Sequence, residues 1–367
     1  MNPHTIVGNT SLWNNLQASL ASQSFPHASL FIDNGQFGAL PLALRCAQKL
    51  LGKDDLRWEQ WADLYMMFPF VKHGSANETH EEHLDSWRSF VQENLYGSQW
   101  DWTQFLESGN KQLIIPVAAV LEMQRKIHLK AFDGQNKVCI VWGADLLREN
   151  AANKMLKILE EPPTDTYFIL IAEETSEMLP TLLSRCQQST LVPVADAEIE
   201  QGLASLNIEK AQMTSILFQA EGSMGRALQL CQQASGTESF ENLWVIGLRA
   251  AFRARGNKAI VLELLEWAEN LSRLNRETHK AFLTYGLRLF RAALMHNYGS
   301  ASLGNFVSET GFDIKKLAPF IHGENVLEII ELLQDYIYAL ERNVNAKMLF
   351  TDLAFKLTRL LHQRETA

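Results

Sequence analysis

Three short, uninterrupted apolar runs constrain the fold of this chain more than any other feature: ASLFID (28–33), KVCIVW (137–142) and TYFILIA (166–172). Such runs read as strands buried on both faces, the state of strands in a parallel sheet covered by helices. Helical segments alternate with them. PLALRCAQKLL (41–51) carries Pro41 in its first turn. KQLIIPVAAVLEMQRKIHLKAF (111–132) reads as a short strand and then a helix with Val120, Met123 and Ile127 on one face. RENAANKMLKILEEPP (148–163) carries Ala152, Met155, Leu156 and Leu159 as a stripe and stops at Pro162-Pro163. The pattern predicts an α/β core with a parallel sheet and flanking helices. After about Pro193 the strands stop. The expected organisation is a core over 1–195 with a tryptophan-rich insertion at about 57–110, a small helical domain over 196–238, and an all-α domain over 239–367.

The strand of residues 28–33 runs directly into glycines and then into a helix, the outline of a phosphate-binding loop. A working loop reads G-x-x-x-x-G-K-[ST]. The matching residues are Asp33-Asn34-Gly35-Gln36-Phe37-Gly38-Ala39-Leu40, so Gly35 and Gly38 lie in the loop while Ala39 takes the lysine position and Leu40 the hydroxyl position. A methyl group and an isobutyl group neither neutralise phosphate charge nor ligate Mg²⁺.

Composition narrows the function classes. The chain has 367 residues, 47% hydrophobic and 20% charged, with a formal net charge of -9. A chain of that sign repels nucleic acid overall, so DNA contact must come from a local basic face or from partner chains. Lys126, Lys130 and Lys137 are candidates for such a face, with ordinary solvated lysines as the alternative. No apolar run approaches the roughly 20 residues of a membrane span, and MNPHTIVGNTSLWNNLQ lacks a secretory pattern, so a cytoplasmic location is expected. Cys46, Cys139, Cys186 and Cys231 are far apart, which suggests buried thiols rather than a zinc site or a disulfide framework. Residues 57–110 hold five of the nine tryptophans; His73, His80 and His83 lie there among acids, and a solvated helix or loop is expected in preference to a metal centre.

From Asn150 to Cys186 the chain reads NAANKMLKILEEPPTDTYFILIAEETSEMLPTLLSRC. This stretch closely resembles the bacterial clamp-loader family of AAA+ subunits, with its L-L-K-x-L-E-E-P-P helix end, strand and L-P-x-x-x-S-R-C. FPHASLF (25–31), AEGSMGRALQL (220–230) and ERNVNAKMLFTDLAFKL (341–357) resemble the entry to the P-loop strand, a segment of the lid domain and the end of the collar domain. The likeness spans nearly the whole chain and is weakest over 57–110, where many members carry a four-cysteine zinc module that is not matched here.

The resemblance implies an AAA+ core with a degenerate P-loop, and it supplies three further tests of the ATP site. The Walker B acid pair of active members aligns with Trp142 and Gly143; Asp145, beyond it, is expected as a turn or capping residue. The sensor threonine or asparagine after the next strand is replaced by Glu173, followed by Glu174. The nucleotide-contacting arginine of the lid aligns with Gly225, and Arg226, one residue on, is rotated by about 100°. The resemblance therefore implies a subunit without ATP hydrolysis of its own and with neither zinc nor nucleotide as its cofactor, ATP being bound by partner subunits. In Ser184-Arg185-Cys186 the arginine would act in trans, reaching the nucleotide of a neighbour; a surface arginine is the alternative. The implied partners are the motor and delta subunits of a hetero-pentamer, with the sliding clamp and primer–template DNA engaged mainly through that complex. Other readings are an active ATPase motor subunit and an AAA+-derived adaptor outside replication.

Overall fold

The computed structural model describes residues 7–55, 57–71, 80–106, 112–132, 136–206, 208–233, 240–254, 257–274, 276–298, 308, 311–342 and 344–363. The chain divides into two compact units, residues 1–207 with 220–230, and residues 208–219 with 231–367.

The first unit contains α1 (Thr10–Ala21), β1 (Ala28–Ile32), α2 (Ala39–Leu50), β2 (Leu64–Met67), α3 (Leu84–Glu93), α4 (Gln99–Phe105), α5 (Val117–Ile127), β3 (Lys137–Trp142), α6 (Glu149–Glu160), β4 (Thr166–Ala172), α7 (Pro180–Leu183), β5 (Gln187–Thr190) and α8 (Asp196–Leu203). Of the next two helices, α9 (Lys210–Ala220) lies almost wholly in the second unit and most of α10 (Met224–Gln233) in the first. The sheet order is β2-β3-β4-β1-β5, and every pairing is parallel.

Alternation along the central strands sorts side chains to two faces, as a period of two requires. Phe31, Val138, Ile140, Trp142, Ile169 and Ile171 join a core with α2 and α3. Leu30, Cys139, Val141, Phe168, Leu170 and Ala172 join one with α5 and α6. All six residues of β3 are buried. At about 1.5–3 kcal/mol per fully buried large apolar side chain, these three strands account for much of the unit's hydrophobic stabilisation. The helix α6 ends at Glu160; Glu161, before Pro162, has left helical geometry at φ -127 and ψ 68, as a residue preceding proline must.

Two strands escape the sequence pattern. β5 is the polar segment QQST, largely exposed at the sheet edge, so it carries no apolar signal. β2 lies inside the tryptophan-rich stretch, part of which therefore belongs to the sheet itself. Conversely, the strand expected before α5 is reduced to two isolated bridges, Phe70 with Ile114 and Ile115 with Leu147. Pro116, which follows, has no N–H to extend the pairing and instead stands as the residue preceding α5.

The second unit is helical: α11 (Phe240–Arg253), α12 (Lys258–Ser272), α13 (Arg276–Asn297), α14 (Gly323–Glu341) and α15 (Ala346–Leu360) surround one apolar core. Two indoles organise it. Trp244 stacks on Phe282 at 4.6 Å and donates its N–H to the Phe282 carbonyl at 2.8 Å. Trp267 donates to the Leu243 carbonyl at 2.7 Å. Each ring packs closely against a helical glycine: a Cβ on Gly286 would sit 2.2 Å from the Trp244 ring, and one on Gly247 would sit 2.4 Å from the Trp267 ring. Among the described residues no helix is long and apolar enough to cross a membrane.

Gly286→Ala is expected to lower stability by about 1–3 kcal/mol through overpacking, although alanine is the better helix former by about 1 kcal/mol. Gly323→Ala, whose added Cβ meets only the Tyr298 hydroxyl at 3.6 Å, is expected to be neutral or mildly stabilising. Urea denaturation of the two variants checks the contrast.

Candidate functional site

The glycine loop between β1 and α2 already holds an anion, and the anion is its own. Asp33 Oδ1 accepts N–H bonds from Gly35 at 3.4 Å and Phe37 at 2.7 Å; Oδ2 accepts from Gly38 and Ala39, both at 2.9 Å. These are the backbone donors and the helix N-terminus that a phosphate-binding loop offers to a phosphate. Gln36 and Gly38 take positive φ, 58° and 113°, which turns successive amides inward onto the carboxylate. Asp33 occupies the first glycine position of the motif, so the side chain that fills the cradle is encoded in the motif itself. Ala39 and Leu40 are buried in the α2-side core.

Around the loop, the expected nucleotide-handling positions converge on residues 96–101, the segment leading into α4. A Cβ on Gly38 would lie 2.8 Å from the Tyr96 ring, and one on Gly225 would lie 2.5 Å from the Tyr96 carbonyl oxygen and 2.7 Å from Gln36. The Gly225 N–H donates to the Gln36 carbonyl at 3.2 Å. Glycine at position 225 is thus required by close approach, and an arginine there has no room. Arg226 turns along its own helix to Gln229 at 3.4 Å. Asp145 lies in a 3-10 turn (Ala144–Leu146), as expected of a turn residue, and its two oxygens accept from Gln99 Nε2 at 2.8 and 2.9 Å. Glu173 Oε1 accepts the Gln99 N–H at 2.6 Å. Asp101 is the hub: Oδ2 accepts from Gln36 Nε2 at 2.9 Å and from the Ser98 N–H and hydroxyl at 2.8 Å each, and Oδ1 accepts from Gln229 Nε2 at 2.8 Å.

This concentration of carboxylates has an electrostatic consequence. Burial, opposed by the Gln99 N–H, then reinforced by the charges of Asp145, Asp33 and Asp101, pushes Glu173 up to about 7; burial likewise raises Asp145. A triphosphate would meet the same unfavourable field.

At the end of β3, where the resemblance aligns a Walker B acid pair, Trp142 is buried against Trp87 of α3 at 4.8 Å and Phe90 at 6.1 Å, and Trp87 in turn meets Trp102 of α4 at 5.3 Å. Gly143 has φ 75° with Pro69 alongside. The insertion therefore packs aromatic rings where an acid pair would stand. His80 and His83 belong to this cluster rather than to a solvated helix or loop. His80 is buried, lies tilted against Phe68 with ring centroids 4.0 Å apart and accepts the Phe68 N–H at 3.3 Å; burial lowers it to about 3, so the ring is neutral. His83 stacks on Phe70 at 4.7 Å. His73 lies outside the described residues. Among the described residues no group of three or more His, Cys, Asp and Glu is placed to hold a metal.

Two of the three candidate lysines are engaged within the fold, while Lys130 is exposed. Lys137 is buried and donates to the carbonyls of Ile127 and Leu129, closing the C-terminal end of α5. Lys126 is paired with Glu81 at 2.7 Å and Glu122 at 2.8 Å.

Arg185 is different in kind. It lies in the turn between α7 and β5, with Ser184 donating its hydroxyl to the Thr181 carbonyl at 2.9 Å and Cys186 buried, its thiol pushed up to about 11. The side chain of Arg185 is 54% exposed, and its guanidinium meets Glu160 at 3.1 Å. An exposed pair of this sort is worth about 0–1 kcal/mol, so the arginine is presented to solvent on a weak tether.

Comparison with known proteins matches these features to a family. Residues 8–195 match the family model described as DNA polymerase III, delta subunit. The Escherichia coli (strain K12) DNA polymerase III subunit delta′ is 29% identical over 251 residues, 67% of this chain and 70% of that protein. The chain belongs to the DNA polymerase III delta-prime family. The delta′ subunits of Haemophilus influenzae and Pseudomonas aeruginosa are 35% and 40% identical over 32% and 24% of this chain, spanning 37% and 27% of their own lengths. A solved structure, a Thermotoga maritima DNA polymerase III gamma subunit-related protein, is similar at a TM-score of 0.44 and 14% identity over 95% of this chain and 99% of that one.

The matched residues 8–195 include the loop, the ends of β3 and β4, and Ser184-Arg185-Cys186. Asp33, Gln36, Tyr96, Gln99, Asp101 and Gln229 were not expected as site residues. Asp33 in the first glycine position was legible. So was the S-x-x-D capping box of Ser98 and Asp101. The contacts those two residues and Gln99 make across the fold were not.

Because Glu173 is raised from 4.5 to about 7 in the folded state, the folded chain binds the extra proton. That contribution to stability is fully present below about pH 4.5 and is lost as pH rises to about 7. Glu173→Gln keeps the acceptor oxygen and removes the charge. It is expected to be more stable than the parent above pH 7, by up to about 3 kcal/mol, and to flatten the pH dependence between 4.5 and 7. Urea denaturation across that range checks this.

Proposed function

We propose that this delta-prime chain is a non-hydrolysing scaffold of the DNA polymerase III clamp loader that lends Arg185 to the ATP site of a neighbouring motor subunit. One observation carries the reading. The chain's own phosphate cradle is filled by Asp33, while the guanidinium of its S-R-C segment is exposed. A guanidinium is the side chain suited to charge developing on a transferring phosphoryl group. Glu160 holds it in place too weakly to prevent its transfer to a neighbour's nucleotide.

In this reading the partners are motor and delta subunits in a hetero-pentamer, and the sliding clamp and primer–template DNA are engaged mainly through the complex. Relatives with the printed names delta′ and tau/gamma, from the same replicative polymerase, support that company. The helices of residues 240–360 supply the collar contacts, and exposed Leu262, Leu327, Met348 and Phe355 are apolar surface available to them. The buried Lys137 and paired Lys126 fit a chain that contributes geometry and one charge rather than a DNA groove of its own. Neither zinc nor bound nucleotide is required, and the place of action is the cytoplasm.

The test is reconstitution with motor and delta subunits. Arg185→Ala is expected to assemble normally and to lower DNA-stimulated ATP hydrolysis, by at least about tenfold at the site it serves; the isolated parent chain is expected to show no turnover. Unchanged hydrolysis in the Arg185→Ala complex would refute the trans role, and turnover by the isolated chain would refute the scaffold reading.

A further inference from the structure

The residues that close the degenerate ATP site come from far along the chain, and they do more than fill space. Gln99 joins the end of β4, through Glu173, to the turn after β3, through Asp145. Asp101 joins the glycine loop, through Gln36, to α10, through Gln229. Tyr96 lies against both Gly38 of the loop and Gly225 of α10, and its hydroxyl accepts the Val7 N–H at 3.2 Å. The loop and α10 also meet directly, Gly225 N–H to Gln36 carbonyl. Four parts of the first unit that are separate in sequence are thus tied through one segment of six residues.

We propose that residues Tyr96–Asp101 are a built-in occupant of the degenerate nucleotide site: they join the glycine loop, the ends of β3 and β4, and α10 as a ligand would, so that this arrangement forms without nucleotide and excludes it. The chemistry supports substitution rather than coexistence. The carboxylate of Asp33 consumes the loop's inward amides. The carboxylates of Asp101, Asp145 and Glu173 are met by the side-chain amides of Gln36, Gln99 and Gln229 and by backbone N–H groups. These amide donors satisfy carboxylates while adding no charge for a triphosphate to pair with. Tyr96 and Gly225 are in contact, leaving no gap between loop and helix for a ligand to bridge. Missing catalytic groups alone would leave an open cradle for a nucleotide; here the cradle is taken.

The inference concerns the isolated chain, so it stands or falls separately from the trans role of Arg185. Hydrogen–deuterium exchange on the full chain tests it. In Gln99→Ala/Asp101→Ala, amides of residues 220–230 are expected to exchange about tenfold faster or more, while β3 and β4 remain protected. Millimolar Mg-ATP is expected to add no protection to residues 33–39 or 220–230 of the parent. Unchanged exchange at 220–230 in the double variant, or ATP-dependent protection in the parent, would overturn the proposal. Should the double variant loosen β3 and β4 as well, Gln229→Ala decides, because it leaves residues 96–101 intact: faster exchange confined to 220–230 supports the tie, and parental exchange there refutes it. Restoring the loop motif as D33G/A39K/L40T, with residues 96–101 untouched, is expected to leave a fluorescent ATP analogue unbound; binding would also overturn the proposal.

Discussion

One carboxylate governs the business end of the first unit. A loop that turns several N–H groups toward a single point must have an anion there or leave buried donors unsatisfied, at about 1–3 kcal/mol for each. Asp33 supplies that anion from within the loop. The loop thereby keeps the shape of a phosphate cradle and leads into α2 with its inward amides satisfied from within.

The aromatic side of the site follows the same logic. Where an acid pair would need magnesium to relieve its charge, Trp142 needs only other rings, and the inserted helices provide Trp87, Phe90 and Trp102. Neutral His80 extends this cluster instead of titrating at its edge. The polar rim and the aromatic floor are therefore two halves of one repair, built from the same stretch of chain. Arg185 lies outside it, exposed and lightly tethered to Glu160.

Much of this was legible in the sequence, for identifiable reasons. β1, β3 and β4 are buried on both faces and announce themselves as apolar runs; α6 is bounded by its stripe and by Pro162-Pro163. The missing lysine at Ala39 and hydroxyl at Leu40 needed only the motif. What stayed hidden depends on tertiary partners. The polar strand Gln187–Thr190 is defined by its pairing to β1 and not by its composition. Lys137 looks like a surface charge until the carbonyls at the end of α5 are seen beside it. Asp145 sits in a turn as expected, but its bond to Gln99, 46 residues away in sequence, is a tertiary feature. Gly225 reads as a lost arginine, and its positive reason, the contact with Tyr96 and Gln36, exists only in three dimensions.

The glycine–indole contacts of the helical unit carry a mechanical consequence. Trp244 fits the notch at Gly286 and Trp267 the notch at Gly247, so each ring acts as a tooth engaged in the neighbouring helix. Sliding α11 along α12 or α13 by even one residue would bring a ring against a side chain or against empty space. Force applied to this unit should therefore be transmitted whole, with the helices moving as one block rather than shearing past one another.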